Sequence, residues 1–219
     1  MLFGMVALLE SLRNTFGNVP FMAQDLACLL PQTDVLHKVS QMERAGYLVR
    51  LKKGLYVLPS HVSRCTIQPE LLANHIYHPS YVSLQWALRY YGLIPERVST
   101  VTSVCTARSA TIQNALGTFT YTTIPSTYFP VGIRQVQENG VTFLMASPEK
   151  ALTDLIVTTK GLNLRYRKEM AAYLYEDLRL EPEAVAAMDT ELIAAIAQHS
   201  KKKSILQLLI NAISHEQSL

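Results

Sequence analysis

Three cysteines, Cys28, Cys65 and Cys105, are all the thiols in the chain, and none stands in a C-x-x-C pair. That spacing suggests neither a disulfide framework nor a zinc site, and leads us to expect buried thiols in a reducing cytoplasm. No apolar run approaches the roughly 20 residues that a membrane-spanning helix needs. Met1 to Leu9 is apolar but short, has no basic start, and runs into Glu10 and Arg13 on a helical period, so a core helix is expected there rather than a leader. There is no glycine-rich phosphate loop, no nucleophile elbow and no H-E-x-x-H, so neither a cofactor nor catalysis is expected. Charge is also sparse. The 17% charged residues against 49% hydrophobic ones exclude a disordered chain, and a net charge of +3 is too small to attract nucleic acid in bulk.

What charge there is gathers in one place. Between His37 and Pro59, the five basic residues Lys38, Arg44, Arg50, Lys52 and Lys53 face a single acid, Glu43, a local excess of +4 that is larger than the net charge of the whole chain. The run from Ala45 to Pro59 is organised as two short alternating segments about Lys53-Gly54. Leu48 and Leu51 alternate with Arg50 and Lys52, and Leu55 and Val57 share a face. The expected product is a β-ribbon that points away from the core and holds Arg50, Lys52 and Lys53 toward a duplex backbone.

Helical patterns precede the ribbon. One is expected from Leu2 to Thr15 on a stripe of Met5, Leu8, Leu9 and Leu12, and a second from Met22 to Leu30, closed by Pro31. A third, Asp34 to Ala45, has Thr33 as its expected N-cap and Val35, Leu36, Val39 and Met42 as its inner stripe, with Gly46 ending it. Three helices and a two-stranded ribbon are the parts of a winged helix-turn-helix. Its third helix would present Gln32, Thr33, Asp34, His37, Lys38 and Gln41 to base edges, with Arg44 behind them.

With 219 residues there is room for a larger second domain. The expected class is α+β: a winged helix-turn-helix at 1–62, then a larger α/β domain at 63–219 with a small, mostly antiparallel sheet and a helical C-terminal part. Ser60 to Thr66 reads as the linker. Helices are expected at Pro69–His75 and Ser80–Tyr91, and strands at Val98–Val104 and Thr118–Thr123. Gly132–Gln137 and Val141–Ala146 flank the hairpin signal Glu138-Asn139-Gly140. Ser147-Pro148-Glu149 opens a helix, with serine as cap, proline at the first position and an acid at the positive end of the dipole. Further helices follow near Leu164–Leu174, Pro182–Met188, Glu191–His199 and Ser204–Ser214.

Three segments in this order resemble the AbiEi family, the abortive-infection antitoxins and transcriptional regulators of bacterial type IV toxin–antitoxin systems. They are Gly46-Tyr47-Leu48-Val49-Arg50-Leu51-Lys52-Lys53-Gly54-Leu55-Tyr56-Val57, the stretch from Tyr81 through Trp86 and Gly92 to Glu96, and the helix start Ser147-Pro148-Glu149-Lys150-Ala151-Leu152-Thr153-Asp154-Leu155. The likeness covers the chain from its start to about Lys160. It implies a repressor of its own operon. One winged module covers only a short site, so a homo-oligomer with two copies on an inverted repeat of operator DNA is expected. The resemblance also implies that the larger domain counteracts a nucleotidyltransferase-class toxin and forms multimers. The alternative is a module that neutralises a toxin by contact without binding DNA.

Four other groupings carry less. His75, His78 and Cys65 have no evident fourth metal ligand and are expected as ordinary polar residues. Lys150 and Asp154, four apart on a helix, are expected to form a weak surface pair rather than a nuclease centre. The tyrosines are expected mostly in the core or at interfaces. The basic clusters Arg165, Arg167 and Lys168 around Tyr166, and Lys201, Lys202 and Lys203, are candidate partner contacts whose plainer reading is a solvated face or linker.

Overall fold

The computed structural model describes residues 2–30 and 34–217. The chain begins with α1 (Leu2–Phe16), strand β1 (Phe21–Met22), a 3-10 helix (Ala23–Cys28), α2 (Val35–Arg44) and the hairpin β2 (Val49–Lys52) and β3 (Leu55–Val57). The three strands form a small antiparallel sheet in the order β1-β3-β2. The expected second helix, Met22 to Leu30, is therefore part strand and part 3-10 turn, because Phe21 and Met22 pair with Tyr56 and Leu55. Leu8, Leu12, Phe21, Leu26, Val39, Met42, Leu48, Tyr56, Leu58 and Val62 form one buried cluster.

Residues 60–66 are not a free linker. They include a short helix, α3 (Ser60–Ser63), and are tied back to the start of the chain: Arg13 Nε donates to Val62 O at 2.9 Å and Asn18 Nδ2 to Thr66 O at 2.8 Å.

The rest of the chain is a mixed sheet with helices: α4 (Pro69–Ile76), β4 (Ser80–Val82), α5 (Leu84–Tyr90), β5 (Thr100–Cys105), β6 (Ala110–Asn114), β7 (Gly117–Thr123), β8 (Ile133–Glu138), β9 (Val141–Ala146) and α6 (Pro148–Thr158). The six strands run in the order β6-β7-β5-β4-β9-β8. Two of the ladders, β4–β9 and β5–β7, are parallel, so the sheet is mixed. The expected helix Ser80–Tyr91 starts late because Tyr81 and Val82 form a short central strand bonded on both sides. Strand β6 was not expected from the sequence. The chain ends in α7 (Arg167–Ala172), a π-helical turn (Tyr173–Asp177), α8 (Pro182–Ala186), α9 (Thr190–Gln198) and α10 (Lys203–Glu216). No helix among the described residues is long and apolar enough to cross a membrane.

The hairpin β2–β3 is shared between two cores. Leu48, Tyr56 and Leu58 belong to the first cluster, whereas Leu51, Leu55 and Val57 belong to the larger one built on the six-stranded sheet. Burying each of those three aliphatic side chains is worth about 1.5–3 kcal/mol, so the ribbon is a joint between the two parts rather than a projecting arm. This overturns the expectation that it points away from the core.

Candidate nucleic-acid interface

Helix α2 starts at an Asx cap. The Asp34 carboxylate accepts from the backbone N–H of Leu36 at 3.1 Å and of His37 at 3.2 Å, so Asp34 fills the capping role expected of Thr33. Thr33 and Gln32 lie outside the described residues. Val39 and Met42 are buried, but Leu36, expected on the inner stripe, is 72% exposed. On a 3.6-residue period it falls in line with His37, Ser40, Gln41 and Arg44, which gives the helix an outer stripe. His37, Gln41 and Arg44 are exposed, Lys38 is half-buried at the edge, and His37 and Gln41 meet through Nε2 atoms 3.1 Å apart.

The ribbon splits the basic residues that the sequence grouped. Its register shifts between Arg50 and Lys52, a bulge that sets two consecutive residues against one partner. Leu51 and Lys52 both turn to the larger core as a result. Lys52 Nζ donates to Ile76 O at 2.5 Å, on the last turn of α4, where a cation satisfies an orphan carbonyl and the negative end of the dipole. Its ammonium is thus tied to a backbone carbonyl of the same chain, whereas it was expected to be free to face DNA. Arg50 and Lys53 stay exposed and line an open groove with Glu43, Gln113 and Asn114, which the half-buried Lys52 also borders.

On the other side of Lys52 lies a cleft of about 690 Å³ between β1, α4 and β9, lined by Met22, Asp25, Lys52, Asn74, His75 and His78. Burial, His78 and the Lys52 ammonium hold the His75 imidazole below its ordinary range. Cys65 is exposed and does not line this cleft, and no group of three metal-ligating side chains occurs among the described residues. Cys28 is exposed as well, so only Cys105 fits the expectation of buried thiols.

The pair Lys150 and Asp154 corrects the sequence reading most sharply. Both side chains are fully buried, with Nζ 3.2 Å from Oδ1. Asp154 Oδ2 also accepts from Ser83 Oγ at 2.6 Å and Tyr81 Oη at 3.0 Å, and Lys150 Nζ donates to Tyr128 O at 2.9 Å and sits 3.4 Å over the Tyr128 ring. Burial pushes the carboxyl up and the ammonium down, each opposed by the other's charge. The cluster clamps α6 to β4 and is sealed from solvent, so it is a structural centre rather than a surface pair. A helical i, i+4 spacing cannot reveal this, because it does not say which face of α6 the sheet covers.

Of the two basic clusters, Arg165, Arg167 and Lys168 are exposed around Tyr166, itself 67% exposed, and Glu169 Oε2 accepts the backbone N–H of Arg165 at 2.7 Å. Lys202, expected as a partner contact, is half-buried and bonded within the chain. Its Nζ donates to Ile156 O at 2.9 Å and Thr159 O at 2.7 Å, closing the end of α6. Lys201 and Lys203 remain exposed.

In comparisons with known proteins, no family model matches the chain and no curated protein matches it.

Proposed function

We propose that this chain is a duplex-DNA-binding transcriptional repressor whose first 62 residues act as a winged helix-turn-helix, with α2 as the reading helix. The observation that carries the proposal is the β2–β3 hairpin directly after α2, with the earlier strand β1 paired to β3. In that arrangement helix, 3-10 turn and helix come before a two-stranded wing, and the outer stripe of α2 is left uncovered. His37, Lys38, Gln41 and Arg44 are the base-edge and backbone candidates, and Arg50 and Lys53 the phosphate contacts. Asp34 serves as the cap and Lys52 as an internal tie, so neither belongs to the reading set.

The resemblance to AbiEi antitoxins extends the proposal. The protein would also counteract a nucleotidyltransferase-class toxin, and would bind an inverted repeat as a homo-oligomer to control its own operon in the cytoplasm. A single module covers only a short site, so two copies are needed for useful specificity. The second reading, toxin neutralisation by contact without DNA, draws support from the seating of the ribbon on the larger core.

Selection of the full-length protein against random duplexes separates the two readings. Repression predicts recovery of an inverted repeat bound about a thousandfold or more tighter than scrambled DNA. Gln41→Ala should then change the preferred sequence more than it changes affinity for scrambled DNA. Rescue of growth from a co-expressed toxin with no DNA selected would overturn the repressor reading and leave the contact reading.

A further inference from the structure

The six-stranded sheet has two outer strands, and the chain treats them differently. The edge of β6 lies beside the hairpin, and Asn114 Nδ2 donates to Leu51 O at 3.2 Å across the gap. Strand β8 pairs only with β9, in an unbroken register from Ile133↔Ala146 to Glu138↔Val141. It contains no proline and no bulge, two of the devices that usually keep a sheet edge from pairing.

The turn joining β8 to β9 determines which backbone groups are free. Asn139 and Gly140 have φ values of 49° and 78°, those of a two-residue type I′ turn, which makes Glu138 and Val141 a hydrogen-bonded pair. Alternation then directs the backbone of Arg134, Val136 and Glu138 toward β9. Ile133, Gln135 and Gln137 are left with N–H and C=O aimed outward.

A second copy of the same edge, laid antiparallel, must set outward residues against outward residues. A register centred on Gln135 would place Arg134 opposite Val136. A register centred on Val136 places Arg134 opposite the partner's Glu138 twice, Gln135 opposite the partner's Gln137, and Val136 against itself. The charged pairs then fall at non-hydrogen-bonded positions, where opposing side chains are closest. Both charges are available: Arg134 is exposed, and among the described residues no carboxylate lies within ion-pairing distance of it. The Glu138 carboxylate is oriented by the Tyr90 hydroxyl, which donates to Oε2 at 2.9 Å.

We infer that β8 is the surface through which two copies of this chain join, antiparallel and centred on Val136, continuing the sheet across a two-fold axis. The contact is isologous, so it closes on two copies through the β8 edge of each. It does not depend on the DNA-binding proposal, and no DNA is needed to test it.

Sedimentation velocity on the full-length protein without DNA reads the outcome directly. The wild type should sediment as a dimer at micromolar concentration. R134E, which opposes like charges at both ends of the seam, should dissociate at least about tenfold more readily, and R134E/E138R should return to near the wild-type value. Gln135→Pro removes an outward N–H while leaving the β9 ladder intact, and should be monomeric with unchanged circular dichroism. A monomeric wild type, a dimer indifferent to R134E, or a folded R134E/E138R that stays dissociated would each overturn the inference.

Discussion

Removing Asp154 should be among the most damaging single changes in this protein, and more damaging than removing its partner. In Asp154→Ala the Lys150 ammonium loses its counter-charge in a fully buried site, and the hydroxyls of Ser83 and Tyr81 lose the carboxylate oxygen they share at 2.6 and 3.0 Å. Breaking a buried pair from one side costs about 3–5 kcal/mol, and at roughly 2–4 °C per kcal/mol for a chain of this size the melting point should fall by roughly 6–20 °C. Lys150→Met leaves a different remainder. Asp154 keeps both hydroxyl donors, and the burial that already pushes its carboxyl up lets it take a proton and stay uncharged. The loss there should be about 1–3 kcal/mol, the scale of an orphaned polar group. Replacing both, as Lys150→Met with Asp154→Leu, should cost less than the sum of the single changes by about 1 kcal/mol or more. Urea titrations followed by circular dichroism give all three values. A shift below about 1 kcal/mol for Asp154→Ala, or a larger loss for Lys150→Met, would refute the assignment of the pair as a structural centre.

Asp34→Ala should cost about 1 kcal/mol by uncapping α2, and Asp34→Ser should recover most of it, as read from thermal melts. His75, whose imidazole is held below its ordinary value of 6.5 by burial, His78 and Lys52, binds a proton less readily in the folded state than in the unfolded one. Its contribution to stability is therefore full above about pH 6.5 and declines as pH falls through that value, by at most about 1.4 kcal/mol per pH unit. His75→Gln should flatten the melting-point profile between pH 7 and 5, and an unchanged profile would refute the role given to this histidine.

Much of the local structure was legible in the sequence because local chemistry decides it. Asn139-Gly140 can hardly be anything but a tight hairpin turn, and Ser147-Pro148-Glu149 carries the cap, the proline and the acid that start α6, with Ser147 Oγ accepting from the Lys150 N–H at 3.2 Å. What long-range packing decides was not legible. Tyr81 and Val82 read as the start of a helix until strands on both sides claim them. Lys52 read as an outward cation because alternation holds only until a bulge breaks it, and the Ile76 carbonyl that receives its ammonium is 24 residues away in the chain. Leu36 read as core from its hydrophobicity, although its place on α2 belongs to the exposed stripe.

The proposed contact of duplex DNA with α2 and the outer side of the ribbon is decided by the salt dependence of binding. In anisotropy titrations of the full-length protein, the slope of log K against log salt should flatten by roughly 1.8 in Arg50→Ala/Lys53→Ala, about 0.9 for each phosphate that is no longer neutralised. Lys52→Met, which removes a cation already bonded to Ile76 O, should lower stability and leave that slope unchanged. Equal slopes for the wild type and Arg50→Ala/Lys53→Ala, or no measurable binding to any duplex at low salt, would contradict it.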